Sequence, residues 1–522
     1  MAGWTDRAAE RRRRIQLLEE RTEQRRTGAW IGKGHSGEEY REQGHIYQSD
    51  LDIFGEGSLF ELLATARTET GRRGLASYLL HSVSTEEAQS RQTAVKELRD
   101  LPKLREGVAL LGPFHFTDCR ADVLGEWLDA PALGFPTFLR PILLVTSIAL
   151  AVLGVLIMTV TALHTVLVPY IAGLVAFHAV TGLMLQEKVR AVLQQGRELA
   201  PEIAILSEGL FLLTSQKFVA PKLRHIQEQA REMPDAVRRC ARIMHWIRER
   251  DKEWFFALSL YLSIGTQLAM ALESWRVVYG ARLRASIGAW AEFEALEALG
   301  TYAHEHPSDP FPEFTETTTL EAQSLGHPLI REEACVRNDV RFDQDCRYWM
   351  ISGSNMAGKS TLLRALGTNV VLALAGGPVR AERLTLGPLR VAASLATLDS
   401  LLDGKSRFMA EVERIRDTIA AASQSRVLFL IDEIFSGTNS HDRRIAAESV
   451  LRALIVQGAI GAISTHDLAL TEIPDIPGIE GANVHMCSRD SDDALDFDYR
   501  VKPGVNRQSN ALSIIRLAGV PL

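Results

Sequence analysis

Residues 305–522 read as an α/β domain built on a parallel sheet, and the chain before them as an all-α region broken by an apolar helical hairpin. Three observations lead there. Gly353–Ser360 spells Gly-x-x-x-x-Gly-Lys-Ser directly after the apolar run Tyr348-Trp349-Met350-Ile351. Val427-Leu428-Phe429-Leu430-Ile431 is followed at once by the acids Asp432 and Glu433. From Ile142 to Leu185 there is no Asp, Glu, Lys or Arg.

The first stretch is a loop that, hung between a strand and a helix, turns successive backbone N–H groups toward a phosphate chain. Gly353 and Gly358 permit the tight turn, and Ser354, Asn355, Met356, Ala357 and Thr361 complete the cradle. Lys359 reaches the outer phosphates, and the Ser360 hydroxyl suits Mg²⁺. A plain glycine-rich turn would need neither the strand before it nor an acidic strand after it.

The second stretch supplies that acidic strand. Five apolar residues suit a strand buried on both faces, and its carboxylates fall at the C-terminal end, where open α/β sheets bind ligands. Asp432 is placed to hold Mg²⁺ through water, and Glu433 to orient or deprotonate an attacking water, which fits ATP hydrolysis rather than storage.

With these residues in view a family resemblance becomes specific. Gly-Ser-Asn-Met-Ala-Gly-Lys-Ser-Thr-Leu-Leu-Arg, from Gly353, resembles the phosphate loop of the MutS family of ABC-type ATPases. Ser406-Arg407-Phe408-Met409-Ala410-Glu411 is similar to that family's Ser-x-Phe-Met-x-Glu segment, and Asp432 to Asp442 to its Asp-Glu-Ile-x-x-Gly-Thr-x-x-x-Asp motif. Ser464-Thr465-His466 resembles its switch histidine, Leu517-Ala518-Gly519-Val520-Pro521 its terminal motif, and Gly326-His327-Pro328-Leu329 the opening of its ATPase domain. The resemblance implies a P-loop (ABC-type) ATPase using ATP and Mg²⁺. It implies that Asn355 bonds phosphate or the attacking water, that His466 senses the terminal phosphate, and that Ser406 completes the site of a partner subunit in a homodimer. Ala357 stands where the family usually has Gly, a small change if its φ is negative. Cys335 falls where an aromatic often packs on adenine, so stacking passes to another residue, with Tyr499 the candidate. Asn439 and Arg443 also depart from the usual Ser and Gly.

The uncharged run is long enough for two spans of ~20 residues and a short turn. Spans near Ile142–Leu163 and Val166–Leu185 are expected, with His164 and Pro169 marking the turn. Arg140 precedes the pair and Lys188, Arg190 and Arg197 follow it, which places both ends and the ATPase domain in the cytoplasm, with membrane lipid as a partner. The competing reading is a hairpin buried in a large protein; soluble helices are amphipathic, and this run is not. A third apolar stretch, Trp254–Leu272, carries Ser259, Tyr261, Ser263 and Gln267 and reads as a buried or membrane-surface helix. A further span would put the ATPase domain on the wrong side.

The rest of the chain falls into place around these. Residues 1–48 form a charged helix and linker: the first 26 residues hold eight Arg against five acids and no apolar signal core, and Gly28 to Gly44 holds five glycines. Residues 49–138 and 188–304 carry helical periodicity on either side of the hairpin, 139–187. Asp50 to Phe60, then Thr68, Thr70, Gly71 and Arg91 to Leu98, resemble the MutS helical core; Phe54-Gly55-Glu56 spells the family's mismatch wedge but has no reader domain around it. Pro307, Pro310 and Pro312 break the chain before the ATPase domain. The net charge of −7 argues against a strongly basic nucleic-acid coat. Five cysteines without metal-ligand spacing read as reduced thiols. Two functions follow: a MutS-like ATPase whose lever arms handle DNA, without the usual mismatch wedge, or a membrane-tethered, nucleotide-switched scaffold for a protein or lipid partner. DNA is therefore an open partner.

Overall fold

The structure, a computed structural model, describes residues 27–111, 121–160, 164–250, 261–354, 356–395, 407–436, 439–475, 481–487 and 497–506, with a few positions between 12 and 24. It is a mixed α/β molecule with a large N-terminal helical region. The helices of that region are α1 (Leu59–Leu63), α2 (Glu69–Leu80), α3 (Thr85–Arg99), α4 (Pro102–Ala109), α5 (Ala121–Asp129), α6 (Leu139–Thr159), α7 (His164–Ser215), α8 (Pro221–Ala230), α9 (Pro234–Glu249) and α10 (Ile264–Glu305). Their starts follow local chemistry. Ser58, Thr68 and Ser84 cap α1, α2 and α3 by accepting a backbone N–H three residues on. Pro102, Pro221 and Pro234 sit in the first turn of α4, α8 and α9, where the missing N–H costs nothing.

The 42-residue α10 is the axis of the helical region, packed by α2, α3, α7, α8 and α9. Thr68, Gly71 and Glu294 explain one segment of the sequence that periodicity could not. The fully buried Glu294 carboxylate accepts the N–H of Arg67 (2.6 Å), the N–H of Thr68 (3.2 Å) and the Thr68 hydroxyl. A side chain on Gly71 would place its Cβ 2.1 Å from Glu294 Oε2, so only glycine lets α2 approach α10 there.

The segment read as a linker is packed. Trp30 is buried, and a Cβ on Gly37 (φ +70°) would lie 2.5 Å from the Phe60 ring. Phe54 is buried against Phe60, unavailable as a wedge.

α6 and the first part of α7 form the apolar hairpin, with three differences from expectation. The break lies between 159 and 164; His164 opens α7, and its Nε2 meets the Ile157 carbonyl at 2.7 Å, serving the end of α6. Pro169 lies inside α7. The second helix does not stop near Leu185 but runs to Ser215 as one element, so the hairpin and the helical core share a rod. Only 17% and 11% of the most apolar 18-residue windows of the two helices are buried, unlike a core hairpin. Residues 254–260 of the third apolar stretch lie outside the described residues. Its remainder joins the hairpin through polar contacts: Ser147 Oγ donates to the Leu262 carbonyl (2.9 Å), Gln267 Nε2 to Ser147 Oγ (2.9 Å), and His178 bridges Ser263 and Thr146.

The C-terminal half holds β1 (Glu313–Phe314), β2 (Leu320–Leu325), β3 (Asn338–Phe342), β4 (Tyr348–Gly353), β5 (Arg383–Leu386), β6 (Arg390–Ser394), β7 (Val427–Asp432), β8 (Ile460–Thr465), β9 (Gly481–Met486) and β10 (Lys502–Pro503). Between them run α11 (Lys359–Ala375), α12 (Arg407–Gln424) and α13 (Ser440–Val456). One sheet has the order β10-β9-β4-β8-β7-β6, parallel except for β10; the other, β1-β5-β2-β3, is smaller and largely antiparallel. β4, β7 and β8 are central and nearly fully buried, as continuous apolar runs require.

The upstream chain is built into this half. Asp50 is fully buried: its carboxylate accepts the Leu395 N–H (2.8 Å) and pairs with Arg414 of α12, while its carbonyl accepts from Arg364 of α11 (3.0 Å). Ile46 offers its carbonyl to the Ala393 N–H (3.0 Å), covering the edge strand β6.

Candidate functional site

The order β4-β8-β7 brings three chain segments together at one edge of the sheet, because parallel neighbours end side by side: Ser352 pairs with Thr465, and Ser464 with Asp432. The loop after β4 is glycine by necessity. Gly353 takes φ +149° with its Cβ position 2.3 Å from the Met486 carbonyl oxygen, and Gly358 opens α11 at φ +95°. Ala357 is not among the positive-φ residues, so alanine fits there without strain. Met356 is exposed and Ala357 buried.

Lys359 is buried, and its Nζ donates to the carbonyls of Gly353 (2.6 Å) and Ser354 (3.0 Å) and stands 3.7 Å from Glu433 Oε1. Burial pulls its ammonium below the ordinary lysine range, against the opposing pull of the Glu433 and Asp432 carboxylates. Ser360 donates its hydroxyl to Asp432, which also accepts from Ser464. Glu433 begins a tight turn at φ +55°; one of its oxygens meets His466 Nδ1. Among the described residues, its other oxygen has no hydrogen-bond partner beyond the Lys359 ammonium 3.7 Å away, and the Ser354 hydroxyl is buried without one. An unpartnered Ser354 hydroxyl, an ammonium shared between loop carbonyls and a carboxylate, and a Ser-Asp pair fit a bound polyphosphate with a divalent cation.

Beside the loop lies a cavity of about 260 Å³, lined by Gly326, His327, Cys335, Asn338, Thr361 and Tyr499 among others. Burial lowers His327 to about 4, so its ring is neutral at physiological pH. Cys335 Sγ accepts the His327 N–H at 3.3 Å. Tyr499 stands against Gly358, a Cβ there lying 3.0 Å from its ring. Asn338 holds the tyrosine's segment from both sides, donating to the Tyr499 carbonyl (3.0 Å) and accepting the Val501 N–H (2.8 Å).

Gly353, Ser354, Lys359, Ser360, Asp432, Glu433 and His466 are thus brought together, and Thr361 lines the adjoining cavity. Asn355 and Ser406 lie outside the described residues, as do Leu517 to Pro521. Sequence reasoning left unassigned Ser464, Glu411, Arg443 and Asn338. Three of them stand within or beside quoted motifs, yet their partners are distant in sequence: Ser464 meets Asp432, and Glu411 accepts the Phe435 N–H.

A family model described as MutS domain V matches residues 349–522. The DNA mismatch repair protein MSH3 of Phaeosphaeria nodorum is 33% identical over 287 residues, 53% of this chain and 25% of that protein. The chain therefore spans about a quarter of the length of the relative it matches. Domain V is the ATPase domain of these proteins. The loop, the acidic strand and the histidine all lie within the matched residues, so residues 349–522 are a domain of the kind described as MutS domain V.

Proposed function

We propose that this chain is a membrane-tethered MutS-type ATPase that binds ATP with Mg²⁺ and hydrolyses it in a homodimeric site. The observation that carries the reading is the meeting of Lys359, Ser360, Asp432, Glu433 and His466 at the ends of three adjacent strands. Backbone N–H groups from Ser354 to Gly358 would cradle the phosphates, with Asn355 among them, and Lys359 would meet their charge. Ser360 and Asp432 would hold Mg²⁺, which supplies charge neutralisation. Glu433 would orient and deprotonate water, His466 would sense the terminal phosphate beside it, and Ser406 would complete the partner's site. Tyr499, pinned by Asn338 at the cavity wall, would carry the base.

The hairpin supports tethering. Its apolar residues point outward, with Met158, Met184 and Val145 66–88% exposed, on helices long enough to cross a bilayer. With Arg140, Lys188, Arg190 and Arg197 flanking it, both ends would be cytoplasmic.

Lys359→Ala should abolish nucleotide binding. Glu433→Gln should bind ATP normally and hydrolyse it about 100-fold more slowly; hydrolysis at the wild-type rate would refute the base assignment. Ser406→Ala should slow hydrolysis in the dimer alone. Kinship with a mismatch repair protein supports DNA as the object of the lever helices. One observation favours a scaffold without DNA: α7 carries the hairpin directly on the helical core of a net acidic chain. A salt titration separates the two, since DNA held through phosphates is released steeply as salt rises. No binding at low salt leaves the scaffold.

A further inference from the structure

We propose that Arg443 is a positioning residue for ATP hydrolysis: its guanidinium clamps the turn that carries Glu433 and ties it to the strand end that carries His466. The turn needs holding. Glu433 and Phe435 both take left-handed φ angles, +55° and +53°, a strained conformation for non-glycine residues that persists only where the surroundings hold it. The turn's own hydrogen bond, Ser436 N–H to the Glu433 carbonyl at 3.1 Å, is one constraint.

Arg443 supplies the next. It lies in the first turns of α13, whose start is fixed by the Asn439 side chain accepting the Asp442 N–H at 3.0 Å. Its side chain is buried. Nε donates to the Phe435 carbonyl and Nη2 to the Ser436 carbonyl, each at 3.0 Å, while Nη1 stands 3.4 Å from Asp467. From the opposite side, buried Glu411 of α12 accepts the Phe435 N–H, so Phe435, two residues after Glu433, is held by both its N–H and its carbonyl. Asp467 is itself fixed, its N–H on Thr465 Oγ1 (2.9 Å) and its carboxylate on the Ala469 N–H (3.0 Å).

One planar cation therefore joins the turn after β7 to the segment after β8. Glu433 and His466, which touch one another across the same gap, are the side chains whose relative placement it governs. The motif that this stretch resembles has glycine at this position, which offers no such contacts. Lysine would reach one carbonyl but not three partners.

The proposal rests on the ATPase reading above, and the test keeps the two apart. Full-length chains carrying Arg443→Ala, Arg443→Lys, Asp467→Asn and the Arg443→Ala/Asp467→Asn pair would be purified in detergent. Each would be measured for kcat and KM with ATP, for affinity toward a fluorescent ATP analogue, and for amide exchange across residues 432–436 without nucleotide. Arg443→Ala should lower kcat by about 10- to 100-fold, the scale of a misplaced catalytic group, with KM and affinity within about two-fold of wild type. Exchange at 432–436 should accelerate, Arg443→Lys should fall between, and Asp467→Asn should lose less in the same direction. The double variant should be no slower than Arg443→Ala, because both remove one connection. Wild-type kcat and exchange in Arg443→Ala, loss of affinity together with kcat, or effects that multiply in the pair would overturn the clamp. Should Arg443→Ala fail to fold, Arg443→Lys and Asp467→Asn decide by the same readouts. A wild-type chain that binds nucleotide without hydrolysing it would sink the ATPase reading instead, and the exchange rates would still judge the clamp.

Discussion

Glu294 carries a charge question into the middle of the helical core. Complete burial raises its carboxyl from the ordinary 4.5 to about 7, although Thr68 and two backbone N–H groups favour the ionised form. The folded chain then keeps a proton that the unfolded chain releases between those values. Stability should therefore fall as the pH rises through that window, by about 3 kcal/mol in all. Thermal unfolding midpoints between pH 5 and 8 test this: Glu294→Gln should flatten the decline seen in the wild type, and parallel curves would refute it. Residues of this kind were hard to read in advance. Thr68 and Gly71 were visible as a pattern, but their reason is a carboxylate more than two hundred positions away. Lys359, Ser360 and Asp432 were legible because phosphate chemistry demands a contiguous loop and an acid at a strand end.

At the scale of elements, the strap from Ile46 to Asp52 binds the helical region to the sheet. Asp50 ties β6, α11 and α12, and Arg364 also pairs with Asp52 at 3.3 Å. Asp50→Ala would leave the Leu395 N–H and a partly buried Arg414 without this acceptor. The cost should be about 2–3 kcal/mol, below the figure for a fully buried pair because Arg414 keeps some water. Urea unfolding of the purified chain measures it, and a loss under about 0.5 kcal/mol, the scale of an ordinary surface substitution, would show the strap to be ornamental. Glycine spacing alone reads as a linker for residues 28–44, since local composition reports backbone freedom and says nothing of what packs upon it. Hydropathy places the end of the second apolar span near Leu185 for a related reason: it marks where apolar residues stop, while the helix α7 continues as an amphipathic rod to Ser215.

For the whole molecule, the exposed apolar hairpin and the candidate nucleotide site are carried on one framework, joined through α7, α10 and the Asp50 strap. A chain so built should stay with membranes after a carbonate wash and be released only by detergent. Removal of residues 139–187 with a short linker should release it to the soluble fraction; continued sedimentation with membranes would place the anchor elsewhere. The polar contacts of Ser147 and His178 with Leu262, Ser263 and Gln267 bring the described part of the third apolar stretch against the hairpin, and these polar groups are partnered as an apolar setting demands.

Linear order was enough to name the loop, the acidic strand, the histidine and the uncharged run, because each rests on residues close together whose chemistry or hydropathy is local. Which side chains hold them in place was decided by strand order and helix packing. Arg443 against Phe435 and Asp467, Ser464 against Asp432, and Glu294 against Thr68 are contacts between segments distant along the chain. No local pattern encodes such pairs; they exist only once burial has brought the segments to van der Waals distance and every polar group must find a partner there.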